Sequence, residues 1–194
     1  MSKNSFVTSK FKSYIASCKK KGEVVIIETV GKDDGEVADT VYFANGYTGF
    51  KCPLWYYKQE LQDIFCTDAP EVGKVKTVCG NPHAGAKETV RKIIDEAKEQ
   101  IAKTDIVIKN FGKDRTTVQL YSKEQCGTVV DMKFLDMYDI EGAEYYSANQ
   151  SQSAPIVAKY ATGIEIILLP IFPGSNYRDK VNNYSNFWRT NYFE

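Results

Sequence analysis

Residues 151–172 read SQSAPIVAKYATGIEIILLPIF, two apolar runs separated by the small residues at 161–163. Pro155 precedes the first run and Pro170 follows the second. Proline has no backbone donor and is confined to strand ends and edges, and a small link containing glycine favours a turn. The stretch therefore predicts a β-hairpin, and we expect it to form the closing edge of a sheet, suited to packing and to pairing with another subunit.

The composition is that of a globular domain. Of the 194 residues, 43% are hydrophobic and 26% are charged, and the net charge is zero. A chain of this length buries roughly 70% of its unfolded surface. No apolar run approaches a membrane span, and the first 21 residues lack the apolar segment of a signal peptide. We expect a cytoplasmic protein without membrane contact.

Residue types that carry catalysis or bind metals are sparse. The cysteines are odd in number and lack a Cys-x-x-Cys pair, so they are expected to be reduced and mostly buried. His83 is the only histidine. The acidic residues at 33–39 favour a solvated turn over a cation site. The sequence therefore predicts no catalytic residue, no metal and no cofactor, hence a non-enzymatic protein.

Residues 74–89 resemble a phosphate-binding loop only in part. Gly80, Gly85 and Lys87 give G-x-x-x-x-G-x-K, whereas a phosphate loop needs Lys directly after the second glycine. Glu88 places a negative charge where a phosphate would lie. A helix start whose acid favours the helix dipole is the preferred interpretation. The alternative, a nucleotide-using enzyme, would require ATP to bind at residues 80–87.

Periodicity predicts the secondary structure. Residues 5–22 form an amphipathic helix that ends at Gly22, residues 54–65 a second helix, and residues 84–103 a long helix with Ile94 and Ile101 on its apolar face. Residues 39–53 form a strand pair that bends at Asn45-Gly46. The other predicted elements are strands at 23–30, 74–79, 105–111, 116–122, 127–131 and 143–149, and a short helix at 132–139.

The order of elements suggests the domain organisation. A helix, strands, a second helix and more strands occur twice along the chain. We expect an α+β fold, a single compact domain of two similar halves, each a helix plus an antiparallel sheet. The halves are residues 1–80 and 81–173, followed by an aromatic tail, residues 174–194.

Two segments resemble the DNA polymerase sliding clamp family, the bacterial β clamp more than the eukaryotic one. One is residues 132–172, with Ser153-Ala154-Pro155 and Leu168-Leu169-Pro170 at the matching places; the other is residues 41–51, with Asn45-Gly46-Tyr47. The resemblance implies two βαβ-type halves, helices that line a basic surface against DNA, and a pocket for partner peptides. One such domain is shorter than a clamp subunit, so a ring would need more copies.

The charge is polarised towards the N-terminus. Residues 1–22 hold six lysines and no acid, whereas the rest of the chain has 19 basic and 25 acidic residues. Contact with the phosphates of double-stranded DNA is one interpretation. A solvated helix face is the other. The candidate DNA-binding residues are Lys12, Lys19, Lys20 and Lys21.

The tail is rich in aromatic residues among Asn and Ser and shows no helical or strand period. It is predicted either to fold back and bury its aromatics or to bind a protein partner, because Trp, Tyr and Arg commonly anchor interfaces. The candidate partner-binding residues are Tyr184, Phe187, Trp188, Arg189 and Tyr192.

Two functions follow from these patterns. The first is a clamp-like accessory protein that associates with DNA or replication proteins and forms a homo-oligomer. The second is a small phage or mobile-element protein that binds and blocks a host protein complex without contacting DNA.

Overall fold

The computed structural model describes residues 6–23, 25–31, 38–45, 48–81, 86–114, 116–172 and 174–192. These residues form an α+β fold around a ten-stranded sheet whose neighbouring strands pair antiparallel, in the order β4-β1-β2-β3-β10-β9-β8-β5-β6-β7. The strands are β1 Val25–Gly31, β2 Ala38–Ala44, β3 Gly49–Pro53, β4 Val75–Cys79, β5 Glu99–Phe111, β6 Thr116–Ser122, β7 Gly127–Asp131, β8 Glu144–Ser147, β9 Ile156–Lys159 and β10 Glu165–Leu168.

The helices cover both faces of the sheet. They are α1 Ser9–Lys21, α2 Leu54–Tyr56, α3 Gln62–Phe65, α4 Ala86–Glu96, α5 Met132–Leu135 and α6 Ser175–Tyr192. A π-helical turn, Tyr57–Leu61, joins α2 to α3. None of the helices in the described residues has the length and apolar composition that crossing a membrane requires.

Local signals determine α1, and the helix predicted at 5–22 is confirmed except for its start, because the helix begins at Ser9. Thr8 is the N-cap, and its side chain accepts a hydrogen bond from the Lys10 amide. Gly22 ends the helix in the left-handed conformation, with φ 71°, which glycine adopts without steric cost. Phe11 and Ile15 are fully buried on its apolar face.

The hairpin predicted from residues 151–172 is confirmed as β9 and β10. Ile156 pairs with Leu168 at one end of the hairpin, and Lys159 pairs with Glu165 at the other. Its predicted place at the edge of the sheet is wrong. β10 pairs with β3 on its other side and β9 with β8, so the hairpin lies in the middle of the sheet. Strands covered on both faces have continuous apolar runs, and that is why both runs lack polar alternation. The edge strands of the sheet are β4 and β7.

Alternate residues of each strand face two different layers. On β10, Ile166 and Leu168 pack into the main cluster beneath α1, α2, α3 and α5. Ile167 points the other way, into a smaller cluster with Val90 and Ile94 of α4. A third cluster joins β5, β6 and β7 to Val181 of α6. The strand alternation places α4 and α6 on the face opposite α1.

The helix predicted at 84–103 is too long. α4 ends at Glu96, and β5 begins at Glu99. Ile101, assigned to the helix face, lies on β5 opposite Tyr145 of β8 and is buried in the main cluster. The residues after Ala97 suit either structure locally, and pairing with β8 and β6 decides for the strand.

The prediction that the tail has no helical period is also wrong, because residues 175–192 form a single helix. Its buried stripe is short and not wholly apolar, since Val181 and Ser185 are its only fully buried described residues. A serine at the centre of the stripe, among many asparagines, weakened the hydrophobic signal on which the prediction depended.

The strands of residues 25–79 and those of residues 99–168 occupy separate, contiguous parts of the sheet, and the β3–β10 pair joins the parts. The division into two similar halves and the likeness to a clamp domain stay predictions.

Candidate functional site

Helix α6 is fastened to the sheet through a close backbone approach. A Cβ atom added to Gly127 of β7 would lie 2.7 Å from the Val181 carbonyl oxygen and 2.9 Å from the Ser185 Cβ. Only glycine therefore allows α6 to lie this near the strand. The Ser185 and Ser122 hydroxyls hydrogen-bond at 2.8 Å, so the polar centre of the helix stripe is satisfied.

A second set of hydrogen bonds ties α6 to the loop before β9. The Asn182 side-chain oxygen accepts from the Gly127 amide at 3.1 Å and from the Gln152 side chain at 2.8 Å. Gln152 also approaches the Arg178 carbonyl oxygen at 3.4 Å. Strand β7, the loop and the helix are thereby joined.

The helix continues beyond the strands that hold it. Tyr177, in its first turn, packs against Phe111 at the end of β5, with ring centroids 5.1 Å apart. Val181 and Ser185 lie over Gly127, the first residue of β7. Since α6 runs along β6 towards the last residue of that strand, the turns after Ser185 pass the ends of the strands.

The second half of α6 carries four aromatic side chains, which we call the aromatic face: Tyr184, Phe187, Trp188 and Tyr192. Residues three and four apart lie side by side on a helix, so these rings form one surface. Phe187 is 63% exposed and Tyr192 67%. The Trp188 and Tyr192 rings stack at 6.2 Å. Trp188 is half-buried, whereas Tyr184, Phe187 and Tyr192 are exposed, so the second half of the helix keeps most of its aromatic surface open. Both alternatives for the tail stay predictions.

Basic groups flank the aromatic face. Lys180 lies over the Tyr184 ring at 5.8 Å, and Arg178 lies over Phe172 at 5.4 Å. Arg189 is half-buried beside Trp188. Asp179 is the only acid among the described residues of α6, so this surface is net basic.

The four candidate DNA-binding lysines are not equivalent. Lys12, Lys20 and Lys21 are exposed on α1, and Lys21 lies 3.7 Å from Glu23. Lys19 is half-buried, and its ammonium donates to the Ile64 and Phe65 carbonyl oxygens at 3.0 and 2.9 Å. It therefore caps the end of α3. These lysines and the aromatic face lie on opposite faces of the sheet and are not brought together.

A buried lysine supports the segment around α6, and sequence reasoning missed it. Lys123, just after β6, is 1% exposed. Its ammonium donates to the Ser147 hydroxyl at 3.0 Å and to the Ser151 carbonyl oxygen at 2.6 Å, with the Asn149 and Ala154 carbonyl oxygens at 3.3 and 3.4 Å. Burial lowers the pKa of Lys123 to about 8. A lysine in a hairpin loop is usually exposed, so no local signal identifies this one.

Lys123 organises a loop rather than a reactive site. Its acceptors are a hydroxyl and carbonyl oxygens, and the neighbouring Cys126 thiol donates to the Gln150 carbonyl oxygen at 2.7 Å. Burial raises the pKa of Cys126, which keeps the thiol protonated and a poor nucleophile. The residues hold the loop at 148–155 against the β6–β7 hairpin, on which α6 rests.

Of the other residues that the sequence analysis considered, some lie outside the described residues and the rest can be placed in the structure. His83, Gly85 and the acids at 33–36 lie outside the described residues. Cys18, Cys52 and Cys126 are buried free thiols, Cys79 is half-buried and Cys66 is exposed. Within the described ranges, no group of three His, Cys, Asp or Glu side chains is placed to hold a metal ion.

Comparisons with protein-family models, with curated proteins and with solved structures find no match to this chain.

Proposed function

We propose that this protein is a non-enzymatic interaction module that binds a partner protein through the aromatic face of α6. The main support for this proposal is that Phe187 and Tyr192 are 63% and 67% exposed, although the helix itself packs closely against the sheet. Exposed aromatic groups clustered on one surface mark interaction sites, and Trp, Tyr and Arg supply most binding energy where interfaces form.

The chemistry of the surface indicates the partner. A single helix with a row of aromatic side chains fits an apolar groove, the arrangement of helix-in-groove recognition. Lys180 and Arg189 flank this row, so the groove should have an acidic rim. Docking two copies of α6 side by side would set like charges together, which disfavours self-pairing of this helix.

The double change Phe187→Ser with Tyr192→Ser should weaken partner binding by roughly thirty-fold, because it removes two anchor side chains. Both residues are exposed, so the fold is expected to persist. Proteins that copurify with the wild type and not with the variant are identified, purified and titrated. Trp188 fluorescence reports binding in a Trp55→Phe background, where Trp188 is the only tryptophan.

The matched control is Asn183→Ser with Asn186→Ser, two exposed residues on other sides of the same helix. The control should bind like the wild type. A purified partner that binds the wild type and the Phe187/Tyr192 variant equally would remove the aromatic face from the interface. A wild-type dimer in light scattering that becomes a monomer in the variant would identify the partner as a second copy instead.

A clamp-like role on DNA is the second candidate, and it rests on the exposed positions of Lys12, Lys20 and Lys21 along α1. Lysine ammonium groups on a helix surface contact phosphates without sequence preference. Lys19 contributes less to this surface, since its ammonium already caps α3.

Changing Lys12, Lys20 and Lys21 to Glu should weaken binding to a fluorescent duplex at low salt, measured by anisotropy. The slope of log affinity against log salt concentration should fall by roughly 0.9 for each phosphate that the variant no longer neutralises. The control changes Lys74, Lys76 and Lys98, three exposed lysines outside α1, to Glu. Equal weakening in both triple variants would point to net charge alone, and wild-type indifference to DNA would reject this candidate.

A further inference from the structure

A second surface lies beside the tip of the β9–β10 hairpin. There a cavity of about 320 Å³ is lined by Phe6, Trp55, Tyr56, Asp139, Glu141, Tyr160, Thr162 and Ile164. We call this cavity the aromatic pocket. Its volume lies at the lower end of the range for small-molecule sites. Phe6 and Tyr56 belong to the main cluster, so the pocket and α6 lie on opposite faces of the sheet.

Four aromatic rings line the pocket, and their positions are fixed by packing. The Tyr56 ring lies 4.9 Å from Phe6 and 5.7 Å from Trp55, which meets it edge-on at 75°. The Phe6 amide donates to the Tyr56 hydroxyl oxygen at 3.0 Å. Phe6 and Tyr56 are nearly fully buried, whereas Trp55 is 52% exposed at the rim. A large indole ring is therefore held on a rigid base with half of its surface open.

The opposite wall is acidic. The Tyr160 hydroxyl donates to the Asp139 carbonyl oxygen, and the Glu141 amide donates to the Asp139 carboxylate at 3.2 Å, which together shape this wall. The ion pairs of the described residues involve neither carboxylate. Of the four acids at 134–144, Asp136 is paired with Lys10, and Asp139 and Glu141 are the two that line the pocket, whose lining has no Lys or Arg. The pocket thus has a local negative potential.

Aromatic rings and carboxylates around one small cavity recognise a particular ligand class. The ring faces attract a cation electrostatically, most strongly for Trp, and nearby carboxylates add direct charge complementarity. Weakly hydrated cations suit such a site better than a metal ion or a primary ammonium group, because they lose less hydration energy on entering it. We propose that the aromatic pocket binds an organic cation of the guanidinium or alkylated ammonium type.

The same cation chemistry has two sources. It occurs in free small molecules, and it occurs as the side chain of arginine or of methylated lysine in a protein. The pocket opens at the surface through Trp55 and Glu141, so both sources reach it. This inference is independent of partner binding by α6, since no residue is shared.

The two tryptophans allow a direct test. In a Trp188→Phe variant of the full chain, Trp55 is the only tryptophan and reports on the pocket. Choline and N-acetylarginine methylamide should change its fluorescence saturably at constant ionic strength. Their neutral counterparts, 3,3-dimethylbutanol and N-acetylcitrulline methylamide, should bind at least tenfold more weakly. A short peptide containing arginine that binds at least tenfold more tightly than the amide would identify a protein side chain as the source; similar affinities would indicate a free cation.

Two variants test the named groups. Glu141→Gln should weaken cation binding about threefold, while Glu124→Gln, the same charge change on the distant β6–β7 hairpin loop, should leave it unchanged. Trp55→Leu, followed by calorimetry, should weaken binding at least tenfold; its melting temperature verifies the fold. No saturable signal up to roughly 50 mM of either cation, or equal binding of cations and neutral counterparts, would overturn the proposal.

Discussion

Replacing Lys123 with Met should lower the free energy of unfolding by about 3 kcal/mol. Lys123 is 1% exposed, and its ammonium donates to the Ser147 hydroxyl and the Ser151 carbonyl oxygen, with two more carbonyl oxygens within 3.4 Å. Methionine fills a similar volume but removes the charged donor, and a hydrogen bond to a charged group contributes about 1.5–3 kcal/mol. The Ser151 carbonyl oxygen keeps the Ala154 amide as a donor at 3.2 Å, and the Asn149 carbonyl oxygen keeps the Ser147 hydroxyl at 3.1 Å. Urea unfolding of the wild type and the variant measures the difference.

The control is Lys98→Met, which removes the same charge from an exposed position beyond α4. It should change the free energy of unfolding by less than about 0.5 kcal/mol. Equal stability of Lys123→Met and Lys98→Met would mean that the loop at 148–155 does not depend on the buried ammonium.

The pH dependence supplies a separate readout. Burial lowers the pKa of Lys123 from 10.5 to about 8 in the folded protein. Below pH 8 both folded and unfolded states hold the proton, so this group makes no pH-dependent contribution. Between about pH 8 and 10.5 the unfolded state binds the proton that the folded state has lost, so stability should rise with pH in the wild type relative to Lys123→Met. Parallel stability curves for the two proteins over this range would contradict the expectation.

Gly127→Ala should lower stability by about 2 kcal/mol and loosen α6. The new methyl group would lie 2.7 Å from the Val181 carbonyl oxygen, and a backbone atom cannot move aside without displacing the helix. Trp188 should become more accessible to a fluorescence quencher in a Trp55→Phe background. Because the aromatic face is carried by α6, binding of a partner should weaken as well.

Gly174→Ala is the matched control, since a Cβ atom there would meet nothing within 4 Å. It should leave stability and quenching close to those of the wild type. If Gly127→Ala behaves like this control, the close approach of β7 to α6 does not determine how the helix is held.

Several elements could be predicted because their signals are local. The N-cap Thr8, the apolar stripe of α1 and the terminal Gly22 lie within one short segment, so the helix follows from nearest neighbours. The hairpin at β9 and β10 follows in the same way from two apolar runs and a glycine turn. Gly163 at its turn has φ 81°, the conformation for which glycine is suited.

The candidate site was predicted only in part. The aromatic residues at 184–192 were selected by residue type, which does not depend on how the segment folds. Their arrangement on a helix was not predicted. The close approach at Gly127 involves a residue more than 50 positions from Val181 and Ser185. No pattern within α6 contains that information. Lys123 was missed for the same reason, since its acceptors lie at the end of β8 and in the loop after it, about 25 to 30 residues further along the chain.

The sequence by itself determined the α+β class, most element positions, the turn glycines and the residue types available at each surface. Only the tertiary structure decided that the hairpin lies in the middle of the sheet, that residues 99–103 pair as a strand, and that Lys123 is buried while Phe187 is exposed. The physical reason is the range of the interactions. Caps, turns and amphipathic stripes depend on residues a few positions apart, whereas strand order and burial depend on contacts such as β3 with β10, which lie more than a hundred residues apart.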